Sequence, residues 1–251
     1  MKLVLLTALG VGGATLIGAL LGFLFKKISH RFSDIVLSFA AGVMLSAAVI
    51  GLILPSLEGE GPLVPLVTVA GVFCGAFMLN AIDHLVPHLH RLMGTDRESH
   101  PQGSERISKV LLFVMAIAIH NLPEGIAAGV GFGGGNTAEA LTIAGGIALQ
   151  NIPEGMVIIG PMLAAGISPM RTLLVAAATG VVEVIGTLLG YFAVSLSAAI
   201  LPFALAFAGG TMLYIISDEM IPETHDSEER GATYALLVGF CLMLLVDFYL
   251  G

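Results

Sequence analysis

Long apolar runs, separated by short polar stretches, set the pattern of this chain. Residues 3–25, 35–57 and 61–82 contain no charged side chain. At the α-helical rise of about 1.5 Å per residue, each is long enough to cross roughly 30 Å of hydrocarbon. The run 110–138 is broken only by the charge of Glu124, 140–170 only by Glu154, and 172–217 only by Glu183. The last of these is too long for one crossing, and Ser195 to Pro202 (SLSAAILP) supplies a break. A final run covers 231–250. The pattern predicts an all-α integral membrane protein of one domain, 1–251, with eight spans near 3–25, 35–57, 61–84, 108–135, 140–165, 172–195, 200–220 and 231–250, and a polar loop at 85–107.

The basic residues give these spans a direction, because Lys and Arg concentrate in cytoplasmic loops. Lys26, Lys27 and Arg31 fall between spans 1 and 2, and Arg91, Arg97, Arg106 and Lys109 between 3 and 4. Arg171 falls between 5 and 6, and Arg230 between 7 and 8. The connections after spans 2, 4 and 6 hold Glu58, Glu60 and Glu139 with no Lys or Arg, which predicts both termini outside the cytoplasm. Lys2 before an apolar run imitates a signal peptide, but the run ends in Lys26-Lys27 without a small-residue cleavage site and reads as span 1. Composition agrees with a bilayer protein, at 57% hydrophobic and 11% charged residues. A net charge of −8 argues against a nucleic-acid partner, and there is no GxxxxGK[ST] loop for nucleotide phosphates. Cys74 and Cys241, in spans 3 and 8, read as buried inert thiols.

Candidate chemistry lies in a repeat. Residues 120–125 are HNLPEG and residues 150–155 are QNIPEG. On a helix, His120, Asn121 and Glu124 share one face, as do Gln150, Asn151 and Glu154. Pro123 and Pro153 lack an N–H and crowd the carbonyls of Ile119 and Leu149, so each helix should kink there and free an oxygen. Both glutamates are the fifteenth residue of their runs (110–138 and 140–170), near the bilayer midplane, and Glu183 adds a third carboxylate in VVEVIGTLLG. An ionised side chain at that depth costs at least about 2.5–3.5 kcal/mol, so such residues face a bundle interior and mark ion or proton pathways. Three adjacent carboxylates need a compensating cation or protons. An imidazole, the carboxylates and the Gln150 oxygen suit Zn²⁺, with Mn²⁺, Fe²⁺ or Co²⁺ next, rather than thiolate-seeking Cu⁺. Met44 in span 2 (AAGVMLSAAV) could add a thioether or simply pack.

Spans 3 and 7 end in polar clusters, Asp83, His84, His88 and His90 in one and Asp218, Glu219, Glu223 and His225 in the other, placed to release a cation toward the cytoplasm or merely to be solvated helix ends. His100 lies in a hydrophilic loop with no assigned chemistry, and Glu58, Glu60, Asn136 and Glu139 form a mildly acidic outer rim. Three functions fit: a cation carrier, an intramembrane metal-dependent hydrolase, since bound metal can activate water, or an open cation channel. No HExxH is present, and the carboxylates leave no spare general base for the hydrolase.

HNLPEG, QNIPEG, Glu183, the SDEMIPETH end of span 7, eight spans and a His-bearing loop after span 3 together resemble the Zrt/Irt-like (ZIP) metal transporters over essentially the whole chain, and Gln150 resembles the bacterial GufA-like branch. The resemblance implies uptake of divalent metal into the cytoplasm by alternating access, with metal as substrate and no catalytic cofactor. It implies a 3+2+3 arrangement in which spans 1–3 and 6–8 form an inverted repeat, a location in the bacterial cytoplasmic (inner) membrane, and a homodimer. The implied site is His120, Glu124, Gln150, Glu154 and Glu183 with Met44 beside it, and a second metal position bridged by Glu124 and Glu154 would use Asn121 and Asn151. Asn151 stands where other members have Asp, and a neutral amide attracts a second cation less.

Overall fold

The structure, a computed structural model, describes residues 1–24, 30–59, 61–85, 118–224 and 230–251. Outside these lie Glu60, the basic residues Lys26, Lys27, Arg91, Arg97, Arg106 and Lys109, the histidines His88, His90, His100 and His225, and the first ten residues of the fourth predicted span. Within them there is no β-strand.

Among the described residues eight helices follow one another. They are α1 (Lys2–Leu24), α2 (His30–Ser46, continuing to Ser56), α3 (Val64–Leu85), α4 (described over 118–131), α5 (Thr137–Ala164), α6 (Pro169–Leu196), α7 (Leu201–Ile215, continuing to Thr224) and α8 (Gly231–Leu250). All but α4, of which only part is described, are long and apolar enough to cross a membrane. The chain breaks between α6 and α7 where Ser197 takes an extended conformation and Ala198–Ile200 form one 3₁₀ turn. Between α4 and α5, Gly135 adopts φ +77°, and the Asn136 side chain accepts the N–H groups of Ala138 and Glu139, capping α5.

Both α2 and α7 widen into π-helix, over Ala47–Ile53 and Ile216–Met220. Each wide segment precedes a proline by two residues, Pro55 and Pro222. Proline has no N–H for the carbonyl four residues back and its ring crowds that carbonyl, so the wider winding accommodates it. The sequence signal was present, as prolines near span ends, but the winding itself was not foreseen. By contrast α5 continues as α-helix through Pro153 and Pro161.

Glycine fixes how the helices pair. A Cβ at Gly12 or Gly180 would stand 2.3 Å from the other's carbonyl oxygen, so α1 and α6 touch backbone to backbone. Gly155 faces the carbonyl of Thr15, and Gly18 and Gly22 face those of Ile152 and Met156, which join α1 to α5. Gly125 faces the carbonyl of Glu183, and Gly186 and Gly190 face those of Leu122 and Ile126, which join α6 to α4. Shifting α1 numbers by 168, and α5 numbers back by 30, turns one set into the other. In the remaining helices, Gly42 faces Leu236 and Gly239 faces Phe39 (α2–α8), while Gly210 faces Val72 and Gly75 faces Phe207 (α7–α3). The offset of 168 holds again, and 164 relates α3 to α8. An odd number of crossings separates α1 from α6, so α1–α3 and α6–α8 are an inverted repeat around the central pair α4 and α5.

These contacts join α1/α4/α5/α6 and the pairs α2/α8 and α3/α7, and Gly209 of α7, against the Ile53 side chain and the Ala48 carbonyl of α2, links the two pairs into a second group, α2/α3/α7/α8. Between the groups glycines meet side chains instead, Gly51 against Ile143 and Gly146 against the Met243 sulfur. The boundary is filled by Ala40, Val43, Met44, Ala47, Ile143 and Ile147, all buried. Cys74 and Cys241 are exposed, which corrects the expectation of buried thiols: they lie on faces of α3 and α8 turned away from this core. Gly155→Ala should lower the thermal midpoint of the detergent-solubilised protein, since overpacking costs about 1–3 kcal/mol, whereas Gly160→Ala, with open space at its Cβ, should leave it unchanged; differential scanning fluorimetry of both variants is the check.

Candidate metal centre between the signature helices

The glycine ending each signature brings α4 onto α6 and α5 onto α1, two partners that themselves touch through Gly12 and Gly180. Because Gly125 lets α4 touch Glu183 of α6, and Gly155 lets α5 touch Thr15 of α1, the residues just before them point into one interior. Glu124, Asn121, Gln150, Asn151 and Glu183 are each 1% exposed or less, and Glu154 and His120 are partly buried. Glu183 is the fifteenth of the 28 residues of α6, at its middle.

Polar satisfaction is uneven. Glu183 accepts from both sides: Asn151 Nδ2 donates to its Oε1, and the Thr15 hydroxyl donates to its Oε2 at 3.3 Å. Asn151 Nδ2 also donates to the carbonyl of Val11 at 3.3 Å. Both Glu124 oxygens, the Asn121 and Asn151 side-chain oxygens, and the Gln150 oxygen and nitrogen are buried without a hydrogen-bond partner. Gln150 lies near enough to act on Glu124 but closes no hydrogen bond with it. Leaving a buried acceptor unmade costs about 1–3 kcal/mol, more if charged. A cluster of such acceptors asks for a cation.

Glu124, Glu154 and Glu183 act on one another electrostatically, and His120 acts on Glu154. Among the described residues no Lys or Arg stands in the middle of a helix to answer them. Every Lys and Arg of the described residues, Lys2, Arg31, Arg171 and Arg230, stands at or next to a helix end. Buried carboxylates in that setting are tolerable when a metal ion or protons supply the missing charge.

His120 is turned differently from the sequence expectation. Its Nε2 lies 3.0 Å from Glu219 Oε1, in the π-helical part of α7, so the imidazole reaches across from one helix group to the other. Sequence reading placed Glu219 in a separate cluster at the end of span 7. The one available signal was the glutamate itself, since nothing in its spacing to His120, 99 residues away, places it beside the signature. Met44 is fully buried within the apolar boundary cluster, among alanines of α2 and α4. Among the described residues no three His, Cys, Asp or Glu side chains stand together as a ready cage. The donors brought together are chiefly carboxylate and amide oxygens, while His120 is engaged by Glu219 and Glu183 by Thr15 and Asn151. Of the candidate exit residues, Asp218 and Glu219 lie in the π segment of α7, Glu223 in its last turn, and Asp83 and His84 in the last turn of α3.

Fold and centre define a multi-pass membrane protein with carboxylates and amides buried in its interior. The chain belongs to the ZIP zinc transporter family, whose model matches residues 87–247. It is similar to zinc transporter GufA of Myxococcus xanthus, 41% identical over 98% of both chains. It is similar too to zinc transporter ZIPB of Bordetella bronchiseptica, 39% identical over 95% of this chain and 78% of that one. Zinc transporter ZupT of Shigella dysenteriae is 31% identical over 97% of this chain and 95% of its own.

Glu124→Gln keeps shape and removes charge. It should weaken Zn²⁺ binding to the purified protein, read by calorimetry, by more than the roughly 10–100-fold that loss of an outer hydrogen-bond partner costs.

Proposed function

We propose that this protein carries Zn²⁺ across a membrane into the cytoplasm, by alternating access through the centre between α4, α5 and α6. The observation that carries the reading is the set of unpartnered buried oxygens on Glu124, Gln150, Asn121 and Asn151, while every Lys and Arg among the described residues stands at or next to a helix end. The names of the relatives supply the ion. Fe²⁺, Mn²⁺, Co²⁺ and Cd²⁺ fit the same oxygen-and-imidazole donors.

In this reading His120, Glu124, Gln150 and Glu154 bind the ion. Glu183 contributes charge close by, Asn121 and Asn151 contribute amide oxygens, and Met44 lines the site from α2. The cation draws His120 from Glu219, and Glu219 with Asp218 and Glu223 receives it on the way out. Backbone contact inside each helix group, against side-chain contact between them, favours one group moving against the other as a unit. Metal is cargo and the protein is not an enzyme. Further parts of the reading are a bacterial cytoplasmic membrane, both termini outside the cytoplasm, one transmembrane domain, and a homodimer joined through α2, α3, α7 and α8.

Proteoliposomes test it. Saturable ⁶⁵Zn²⁺ uptake by the wild type, abolished in Glu154→Ala and lowered in apparent affinity by His120→Ala, is expected, with Met44→Ala milder. Uptake affinity should also fall as the pH is lowered, because a ligand must shed its proton to bind metal. Peptide hydrolysis without flux would instead favour the enzyme, and flux that does not saturate would favour a channel.

A further inference from the structure

Thr15 belongs to no signature, yet its hydroxyl reaches the centre. It donates to Glu183 Oε2 at 3.3 Å, while Asn151 Nδ2 donates to Glu183 Oε1. The carboxylate is thereby gripped at both oxygens, from α1 and from α5.

The orientation of the Asn151 amide follows from chemistry. Its nitrogen faces the Val11 carbonyl, which only accepts, and the Glu183 carboxylate, which only accepts while ionised. With Glu183 ionised the amide cannot be reversed, since its oxygen would then meet two acceptors. Asn151 Oδ1 is therefore turned from both, and it is buried and unpartnered, like the oxygens of Asn121, Gln150 and Glu124.

Symmetry explains why the hydroxyl stands there. The offset of 168 that maps α1 onto α6 maps Thr15 onto Glu183, and each offers its carbonyl to the glycine of a signature, Gly155 and Gly125. The repeat-related residues thus meet one another at the centre. Two carboxylates in these positions would repel, and two hydroxyls would bring no charge. One donor facing one acceptor is the pairing that holds a carboxylate still.

We propose that Thr15 is a positioning residue: it holds Glu183 so that Glu183 and the Val11 carbonyl present the Asn151 amide oxygen to the transported cation. This rests on the carrier reading above. Outer-layer carboxylates that orient metal ligands in this way commonly tune affinity by about 10–100-fold.

The test uses the full chain in proteoliposomes, with Zn²⁺ for uptake and Co²⁺, whose absorption reports its ligands, for binding. Thr15→Val, which removes the hydroxyl at nearly constant shape, should raise KM for Zn²⁺ by about 10-fold or more with little change in maximal rate, and should alter the Co²⁺ spectrum. Thr15→Ser, which keeps the hydroxyl, should restore both. Thr15→Ala serves if the valine variant does not fold. A KM and spectrum matching wild type in Thr15→Val, or a serine variant as impaired as the valine one, would overturn the role. Glu124→Gln in the same vesicles separates the two claims: if it transports as wild type does, the carrier site is misplaced, whereas its loss beside a normal Thr15→Val removes only the positioning role.

Discussion

Buried negative charge, set apart from every Lys and Arg among the described residues, is the constraint that organises this molecule. Glu124 and Glu183 are sealed in the interior with Glu154 beside them, while Lys2, Arg31, Arg171 and Arg230 stand at or next to helix ends. Such an arrangement is costly for a merely structural core, since packed apolar residues would serve stability as well or better. It is useful for a guest that brings its own charge. Much of the remaining architecture can be understood as the means of holding these acids close without letting them be neutralised from within. Glycines draw α4 onto α6 and α5 onto α1 until backbones touch, so short side chains and carboxylates meet at the middle of the bundle rather than being kept apart.

The internal symmetry supplies the frame, and its breaking supplies the chemistry. One offset relates the packing glycines of α1 and α6, Gly12 with Gly180, Gly18 with Gly186 and Gly22 with Gly190. At the centre the equivalent residues differ: His120 of one signature corresponds to Gln150 of the other, and Thr15 faces Glu183 across the outer pair. A fully symmetric centre would carry either two imidazoles or two more carboxylates. The observed one has a single imidazole, a hydroxyl and amides that donate as well as accept.

Much of this was legible in the sequence. Charge-free runs of sufficient length announce the helices, and the SLSAAILP segment separates α6 from α7 because Ser197 and the 3₁₀ turn at Ala198–Ile200 interrupt a run too long for one crossing. The paired signatures announce Glu124 and Glu154 because carboxylates and prolines recur there at matching depth. Other features depend on contacts far apart in sequence. Glu219 meets His120 across 99 residues, and Thr15 meets Glu183 across 168, so no spacing rule could pair them. Cys74 and Cys241 were misread because apolar periodicity is flat in a lipid-facing helix: when both faces are greasy, hydrophobicity no longer tells inside from outside.

The same distinction bears on motion. Where a glycine meets a carbonyl oxygen, as Gly155 meets Thr15 or Gly210 meets Val72, a helix cannot shift without opening a gap or colliding with backbone. Where Gly146 meets the Met243 sulfur or Gly51 meets Ile143, the opposing atoms belong to side chains that can change rotamer. The glycine-to-carbonyl contacts lie within the two helix groups, and between the groups Gly51 and Gly146 meet side chains. The imidazole–carboxylate pair of His120 and Glu219 also spans that boundary, and it does so with a group whose partner a cation can replace. A charge arriving at the centre therefore acts at the boundary between the two helix groups.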